Sequence, residues 1–340
     1  MTERGPGSGF ARPPVHEWGA RFALPEERLV DLRPIQDLLP RVRSYVREHL
    51  PPDWPQLATA LHGIVEAPLG PLATLPLAGC AAAGGDPVQA VPASAAWVAF
   101  NVAMRVLDDV EDQDRPTALW TEIGVPRAVN YGVAAYMLGH ELLARAPWPA
   151  TRYREIGRAF LHASLQIAAG QDRDLRAPPG TLDEYWQAIE ARNAYSVACL
   201  AGALCATEDA TILAACRRFG HHAGLALQIL DDLEGIWHPL GQGDLAMGKV
   251  TLPVVYGLSI EHPRRDELAA VVNRGRLAAE APRVREILDG IAARDFLIWA
   301  ALQERARALS ALASCPGQTG VTALTAFITV VFGGLDGGGS

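Results

Sequence analysis

The segment NVAMRVLDDVEDQDRP places Asp108, Asp109 and Asp112 at the end of a largely apolar run. At 3.6 residues per turn, Asp108 and Asp112 stack on one helix face with Asp109 beside them, so three carboxylates converge. Like charges at this spacing push at least one pKa upward unless a cation neutralises them. An oxygen-only donor set with room for water suits Mg²⁺ shared with a phosphate group. A single Asp-Asp doublet also describes a solvated acidic helix end, but the chain contains two. Asp231 and Asp232 in GLALQILDDLEGIW follow another apolar run, with Gln228 one turn before Asp232 on the same face. Two such helices facing each other in a bundle would clamp one diphosphate through several Mg²⁺ ions.

Two further segments point into the same cavity. Ile156, Phe160, Ala163 and Ile167 form one apolar helical stripe, which continues on its own face into Gln171 and Asp174 of GQDRDL. GDLAMGKVTLP supplies Lys249 in a Gly-flanked turn before a helix, where an ammonium can reach an anionic group.

The elements that position these residues have helical periodicity almost throughout. Apolar stripes run through 35–49, 55–66, 95–113, 127–145, 152–175, 182–205, 209–234, 250–259, 281–311 and 321–332, separated by Pro, Gly and Asp clusters. Strand-like alternation is nearly absent, and the pattern predicts an all-α bundle of about ten helices. No Gly/Ser linker and no fixed repeat divides it. The expected organisation is a mobile segment over 1–25, a single domain over 26–332 and a flexible tail over 333–340.

Composition narrows the function classes. With 38 Asp and Glu against 30 Lys and Arg, the net charge of −8 repels nucleic acid and leaves any anionic ligand dependent on local cations. The five cysteines contain no C-x-x-C pair and sit among Ala and Leu, which reads as small apolar packing in a reducing compartment. The first residues have no apolar signal core, so a cytoplasmic location is expected. The charge-free run 67–85 is broken by prolines and glycines, and reads as a soluble helix pair or turn, with no membrane span. His221 and His222 lack a zinc-type partner one turn away, and no Walker or dinucleotide fingerprint is present.

Taken together and in order, LDDVED, GQDRDL, LQILDD and GDLAMGKVTLPVVYGL resemble the trans-isoprenyl diphosphate synthase (polyprenyl synthetase) family over about residues 60–260. The resemblance implies a single-domain, all-α isoprenoid-synthase bundle with a central cavity. In that family two Asp-rich motifs hold three Mg²⁺ around an allylic prenyl diphosphate, whose diphosphate leaves to give a carbocation attacked by an alkene. Residue by residue, it implies metal ligation by Asp108, Asp109, Asp112, Asp231 and Asp232, with Asp108, Asp109, Lys249 and Arg192 in catalysis. Gln171, Asp174, Gln228, Asn193 and Arg115 would contact substrate; Arg192-Asn193 stands where the family usually has Lys-Thr. A homodimer is implied on the same basis.

The departures lie on the acceptor side. Where the family carries a basic GKRxRP segment, this chain reads Pro68-Leu69-Gly70-Pro71-Leu72-Ala73, and of the paired arginines expected after the first motif only Arg115 remains. Asn101 replaces a common histidine, and Gly235 replaces the last Asp of the second motif. A diphosphate beside Pro and Leu would be left unpaired at a cost of several kcal/mol, so the usual isopentenyl diphosphate pocket is not expected. Three functions stay open: a prenyltransferase of the farnesyl or geranylgeranyl class with a different acceptor, a terpene synthase derived from this scaffold, and a non-catalytic subunit of a heteromeric synthase. Phe100, Tyr195 and Trp237 are candidate cation-sheltering aromatics that equally suit core packing. Ala103 and Met104, five and four places before Asp108, are not bulky, leaving room for a chain longer than a monoterpene precursor.

Overall fold

The computed structural model describes residues 33–61, 71–112, 119–237 and 243–332. Among the described residues every regular element is helical. The α-helices are α1 (Arg33–Gln36), α2 (Leu39–Glu48), α3 (Pro55–Ala60), α4 (Leu75–Ala82), α5 (Val91–Asp112), α6 (Leu119–Ile123), α7 (Val125–Ala144) and α8 (Ala150–Arg176). They continue with α9 (Leu182–Ala191), α10 (Tyr195–Ala206), α11 (Ala210–Trp237), α12 (Leu252–Ser259), α13 (Arg265–Asn273), α14 (Ala281–Gly290), α15 (Ala293–Ala311) and α16 (Gln318–Val331).

Small residues determine how the centre packs. All eight residues of α4 are buried, and α4 lies against α10, which in turn packs on α11. The α4–α10 contact is so close that a Cβ at Gly202 would stand 1.9 Å from the Pro76 carbonyl oxygen, and one at Gly79 2.6 Å from that of Cys199. Around this centre α5 pairs with α7 and α11 with α15. The main core includes Trp97, Phe100, Phe160, Phe219 and Ile229. A second, smaller core of Ile236, Leu245, Val254, Leu268, Ile287 and Leu288 backs the turn between α11 and α12.

Three stripes read as continuous are each a helix pair; the stripe 35–49 breaks in a turn at 37–38 between α1 and α2. The stripe 182–205 breaks at residues 192–194, where the Asn193 side-chain oxygen accepts the Tyr195 N–H at 3.1 Å and restarts the chain as α10. The stripe 281–311 breaks before α15 at Ala292, whose φ of 54° lies in the left-handed region that ends a helix. The short α6 and the polar α13 escaped the apolar-stripe criterion. Of the stripe 55–66, α3 accounts for the first part, and residues 62–66 lie outside the described residues.

In the charge-free run 67–85, residues 71–74 form a 3₁₀ turn leading into α4. Pro87–Asp112 is the one described segment long and apolar enough to cross a membrane, but 61% of its apolar window is buried within the bundle and it ends in carboxylates. The five cysteines are free, four of them buried, as their packing role requires.

Candidate functional site

The apolar N-terminal part of α5 buries in the core and carries the first carboxylate set at its other end. Asp108 is exposed, Asp109 buried, and Asp112 about a third exposed. The 3.6-residue period produces this division, turning Asp109 inward beside an outward-facing Asp108 and Asp112. From α8, Gln171 Nε2 donates to Asp108 Oδ1 at 3.2 Å and to Glu111 Oε2 at 3.0 Å. The stripe anticipated along α8 is present: Ile156 and Phe160 are buried, Ala163 and Ile167 half-buried, and Gln171 and Asp174 follow on that side.

Asp174 accepts an ion-paired hydrogen bond from Arg192 Nη1 at 2.7 Å. Arg192 closes the C-terminus of α9, where a cation is favoured by the helix dipole. Its Nε is buried with no partner among the described residues, which leaves a donor for an anionic ligand. Asn193 is used differently. Its amide nitrogen donates to the His221 carbonyl at 2.6 Å and its oxygen receives Tyr195 N–H, so both ends are engaged in joining α9, α10 and α11. His222 pairs with Glu304, consistent with packing rather than metal binding.

The second set divides in the same way. On α11 Asp231 is exposed and Asp232 is 2% exposed. Asp232 accepts from Tyr185 Oη at 2.7 Å, from Gln228 Nε2 at 2.8 Å and from Leu252 N–H, at the start of α12, at 2.8 Å. Its oxygens are therefore occupied within the protein, and Gln228 serves Asp232 rather than facing a ligand. Loss of hydration nevertheless outweighs these donors and holds Asp232 up at about 6. Tyr185 was not legible as a site residue, because it also fills an apolar position of α9.

Residues 243–249 fold back against α11. Asp244 N–H donates to the Gly235 carbonyl at 2.8 Å, and Lys249 N–H to the Asp244 carbonyl at 2.8 Å. Gly248, with φ of 76°, supplies the left-handed step that turns the chain into Lys249. Lys249 Nζ then reaches Asp112 Oδ2 at 2.9 Å, so the turn beside the second carboxylate set touches the first. Lys249 thus links the two sets, and Gln171 and Arg192 stand on the neighbouring ends of α8 and α9, Arg192 and Lys249 near enough for their charges to act on Asp108. Asp244, unnoticed within GDLAMGK, lies near enough to Asp231, Asp232 and Lys249 for their charges to act on it.

The electrostatics match a site built for cations. Loss of hydration, then the Asp112 carboxylate, push Asp108 up to about 6. Loss of hydration, then Asp232 and Asp231, push Asp244 up to about 7. Among the described residues no three acidic, His or Cys side chains are gathered so as to hold a metal ion by themselves. The exposed donors on the two Asp motifs are all carboxylate oxygens, with no soft ligand among them. Such a set fits Mg²⁺, which keeps several waters and takes one or two carboxylates plus phosphate oxygens.

Before α4, the carbonyls of Leu72 and Ala73 accept from Trp97 Nε1 at 2.9 Å and Ser94 Oγ at 2.6 Å. Residues 71–74 offer no basic group, and Asn101 donates to the Trp97 carbonyl on its own helix. Arg115 and Pro68–Gly70 lie outside the described residues. Phe100 packs with Phe160, Tyr136 and His140, with ring centroids 4.9–5.3 Å away. Tyr195 meets Trp97 edge-on, and Trp237 turns to Asp289, to which its Nε1 donates at 2.7 Å.

Residues 73–289 match the polyprenyl synthetase family model. A geranylgeranyl diphosphate synthase of Mycobacterium tuberculosis is 36% identical over 216 residues, 58% of this chain and 61% of that protein. A (2E,6E)-farnesyl diphosphate synthase of Mycobacterium bovis is 34% identical over 194 residues, 52% of either chain. The chain thus spans less than two thirds of the length of these relatives. In structure, it resembles a polyprenyl synthase from Caulobacter crescentus complexed with calcium and isoprenyl diphosphate, with TM-score 0.76 and 25% identity over 90% of this chain and 96% of the other. A geranylgeranyl pyrophosphate synthetase from the archaeon Geoglobus acetivorans superposes with TM-score 0.75 and 21% identity, over 88% of this chain and 97% of that one.

Proposed function

Because this chain belongs to the polyprenyl synthetase family, we propose that it is a Mg²⁺-dependent prenyltransferase which ionises an allylic prenyl diphosphate of the farnesyl or geranylgeranyl class. The observation that carries the proposal is the Lys249–Asp112 contact of 2.9 Å, which ties the turn following the second Asp motif to the first. Asp108, Asp112 and Asp231 would hold the ions, with Asp109 turned inward beside the first set and Asp232 fixed behind Asp231 by Tyr185, Gln228 and Leu252. Bound Mg²⁺ would neutralise the diphosphate and favour its departure as a leaving group.

The chain's own residues do the remainder. Lys249 and Arg192 would exchange their carboxylate partners for diphosphate oxygens through charge-assisted hydrogen bonds. Gln171 orients Asp108. The prenyl tail would run along α5 past Met104 toward Phe100, two turns and about 12 Å below Asp108. There the packed Phe100, Phe160 and Tyr136 rings would form an apolar wall.

The acceptor is proposed to differ from the isopentenyl diphosphate of ordinary elongation, because residues 71–74 are packed into the core without a cation. The relatives named above are diphosphate synthases, which supports prenyl transfer and gives cyclisation no support. A second copy of the chain is the proposed partner, since Val125, Val129, Val133 and Met137 form an exposed stripe on α7, with Leu161 and Leu165 exposed on α8.

Incubating the purified chain with Mg²⁺ and farnesyl or geranylgeranyl diphosphate, with and without isopentenyl diphosphate, tests the acceptor reading by mass spectrometry of the products. No elongation with isopentenyl diphosphate is expected. An elongated diphosphate would overturn the altered-acceptor proposal, and a hydrocarbon or alcohol formed from the allylic substrate alone would turn it to cyclisation.

A further inference from the structure

Cys216 lies on α11 and Cys315 in the link between α15 and α16, 99 residues later in the chain, yet their sulfurs stand 3.8 Å apart. The two thiols differ in access. Cys216 is fully buried, whereas Cys315 is partly exposed and flanked by the exposed Ser314 and Pro316. The link itself is held in place: Cys315 N–H donates to the Leu312 carbonyl, and Gly317 N–H to the Ala82 carbonyl at the end of α4, each at 2.9 Å. Bringing the sulfurs to the roughly 2.0 Å of a disulfide therefore falls to rotation of the two side chains, over a gap of about 1.8 Å.

The other cysteines are placed differently. The Cys80 and Cys205 thiols donate to the Asp86 and Ala201 carbonyls, each at 3.3 Å, and Cys199 is fully buried. Acidity also divides the pair. The hydrogen bond from Cys216, with the Arg218 guanidinium assisting, holds the Cys315 thiol below its ordinary range against the opposing effect of burial. The same bond, and then loss of hydration, push the Cys216 thiol up. A thiolate within reach of solvent, with a protonated thiol directly behind it, is the arrangement of a peroxide-reactive cysteine and its resolving partner.

We infer that Cys216 and Cys315 form a reversible disulfide, driven by a hydroperoxide, that staples α11 to the link before α16. The Cys315 thiolate attacks one peroxide oxygen and the O–O bond breaks. The departing oxygen takes up the proton that Cys315 released and leaves as water or an alcohol, and Cys315 is then a sulfenic acid. The Cys216 sulfur attacks the Cys315 sulfur, and the sulfenic hydroxyl leaves as water with the Cys216 proton. Together the sulfurs have lost two electrons and two hydrogens to the peroxide, and a dithiol reductant reverses the bond by exchange. Because the bridge closes a long loop, it stabilises the folded chain. It lies about 22 Å along α11 from Asp231, away from the carboxylate sets.

The test treats the full chain, reduced and in EDTA, with hydrogen peroxide, quenches with a thiol-alkylating reagent and maps the cysteines by mass spectrometry. A Cys216–Cys315 peptide pair lacking two hydrogens is expected, with the other three cysteines alkylated, and dithiothreitol should remove it. Oxidation should raise the melting temperature of the parent by about 5 °C and leave that of Cys315→Ser unchanged. In Cys216→Ala the resolving thiol is gone, so a sulfenic acid at Cys315 should become trappable by dimedone. The peptide map is read on the parent chain and depends on neither variant folding. Five alkylated thiols after peroxide, a bridge from Cys315 to the neighbouring Cys199, or oxidation of Cys315 to a sulfinic or sulfonic acid without a bridge would overturn the inference. A Cys216–Cys315 bridge that leaves the melting temperature unchanged would overturn the stapling role.

Discussion

Each aspartate doublet contains one residue that is exposed and one that faces the protein. Asp108 and Asp231 are exposed, whereas Asp109 is buried and Asp232 is enclosed by three donors. This division has a pH signature. Asp108 is held at about 6 by the fold, against about 3.9 in an unfolded chain. The folded state therefore binds the proton more tightly, and the associated stability is complete below about pH 4 and is lost as pH rises through 6. Asp108→Asn removes that dependence. In EDTA, the variant should melt progressively higher relative to the parent as pH is raised from 4.5 to 7.5. A constant difference across that interval would show that Asp108 does not titrate abnormally. The doublets and Lys249 were legible in the sequence because charge following an apolar run is conspicuous. Tyr185 and Asp244 were not, since one occupies an ordinary core position and the other reaches the site only through the folding of residues 243–249.

At the scale of elements, the site depends on how closely α4, α10 and α11 pack, because α11 carries the second carboxylate set and α10 connects it to Arg192. The periodicity identified the long helices but merged α1 with α2 at a short turn and, over longer spans, α9 with α10 and α14 with α15. Those breaks are made by a side-chain hydrogen bond at Asn193 and a left-handed Ala292, neither of which alters the apolar stripe. The α4–α10 contact is the most sensitive joint. At Gly202, the added methyl would meet backbone rather than a movable side chain. Gly202→Ala should destabilise the fold by about 3 kcal/mol, the upper end of ordinary overpacking. The expected readout is a shift in the denaturation midpoint with an unchanged slope. A midpoint equal to that of the parent would show that the helices have more freedom than this packing allows.

Over the whole molecule, the all-α class was legible from the near absence of strand alternation, and the family from four motifs in order. The pairing of α5 with α7 and of α11 with α15 was not, since any apolar stripe is satisfied by any apolar neighbour. The exposed stripe of Val129, Val133 and Met137 shows one such face still uncovered in a single chain. Light scattering should therefore give twice the chain mass, and Val133→Asp with Met137→Asp should give one chain mass with the helical content retained. A parent chain that runs as a monomer would remove the homodimer from the account.

The facing of the two carboxylate sets is tested most directly by pyrophosphate release from an allylic prenyl diphosphate. Release should require Mg²⁺, stop in EDTA and resume when Mg²⁺ is restored. It should fall at least about a hundredfold in Asp108→Ala and in Asp231→Ala, while both variants keep the parent's helical signal. Release that continues in EDTA, or that survives the loss of either aspartate, would contradict a site assembled from both helices.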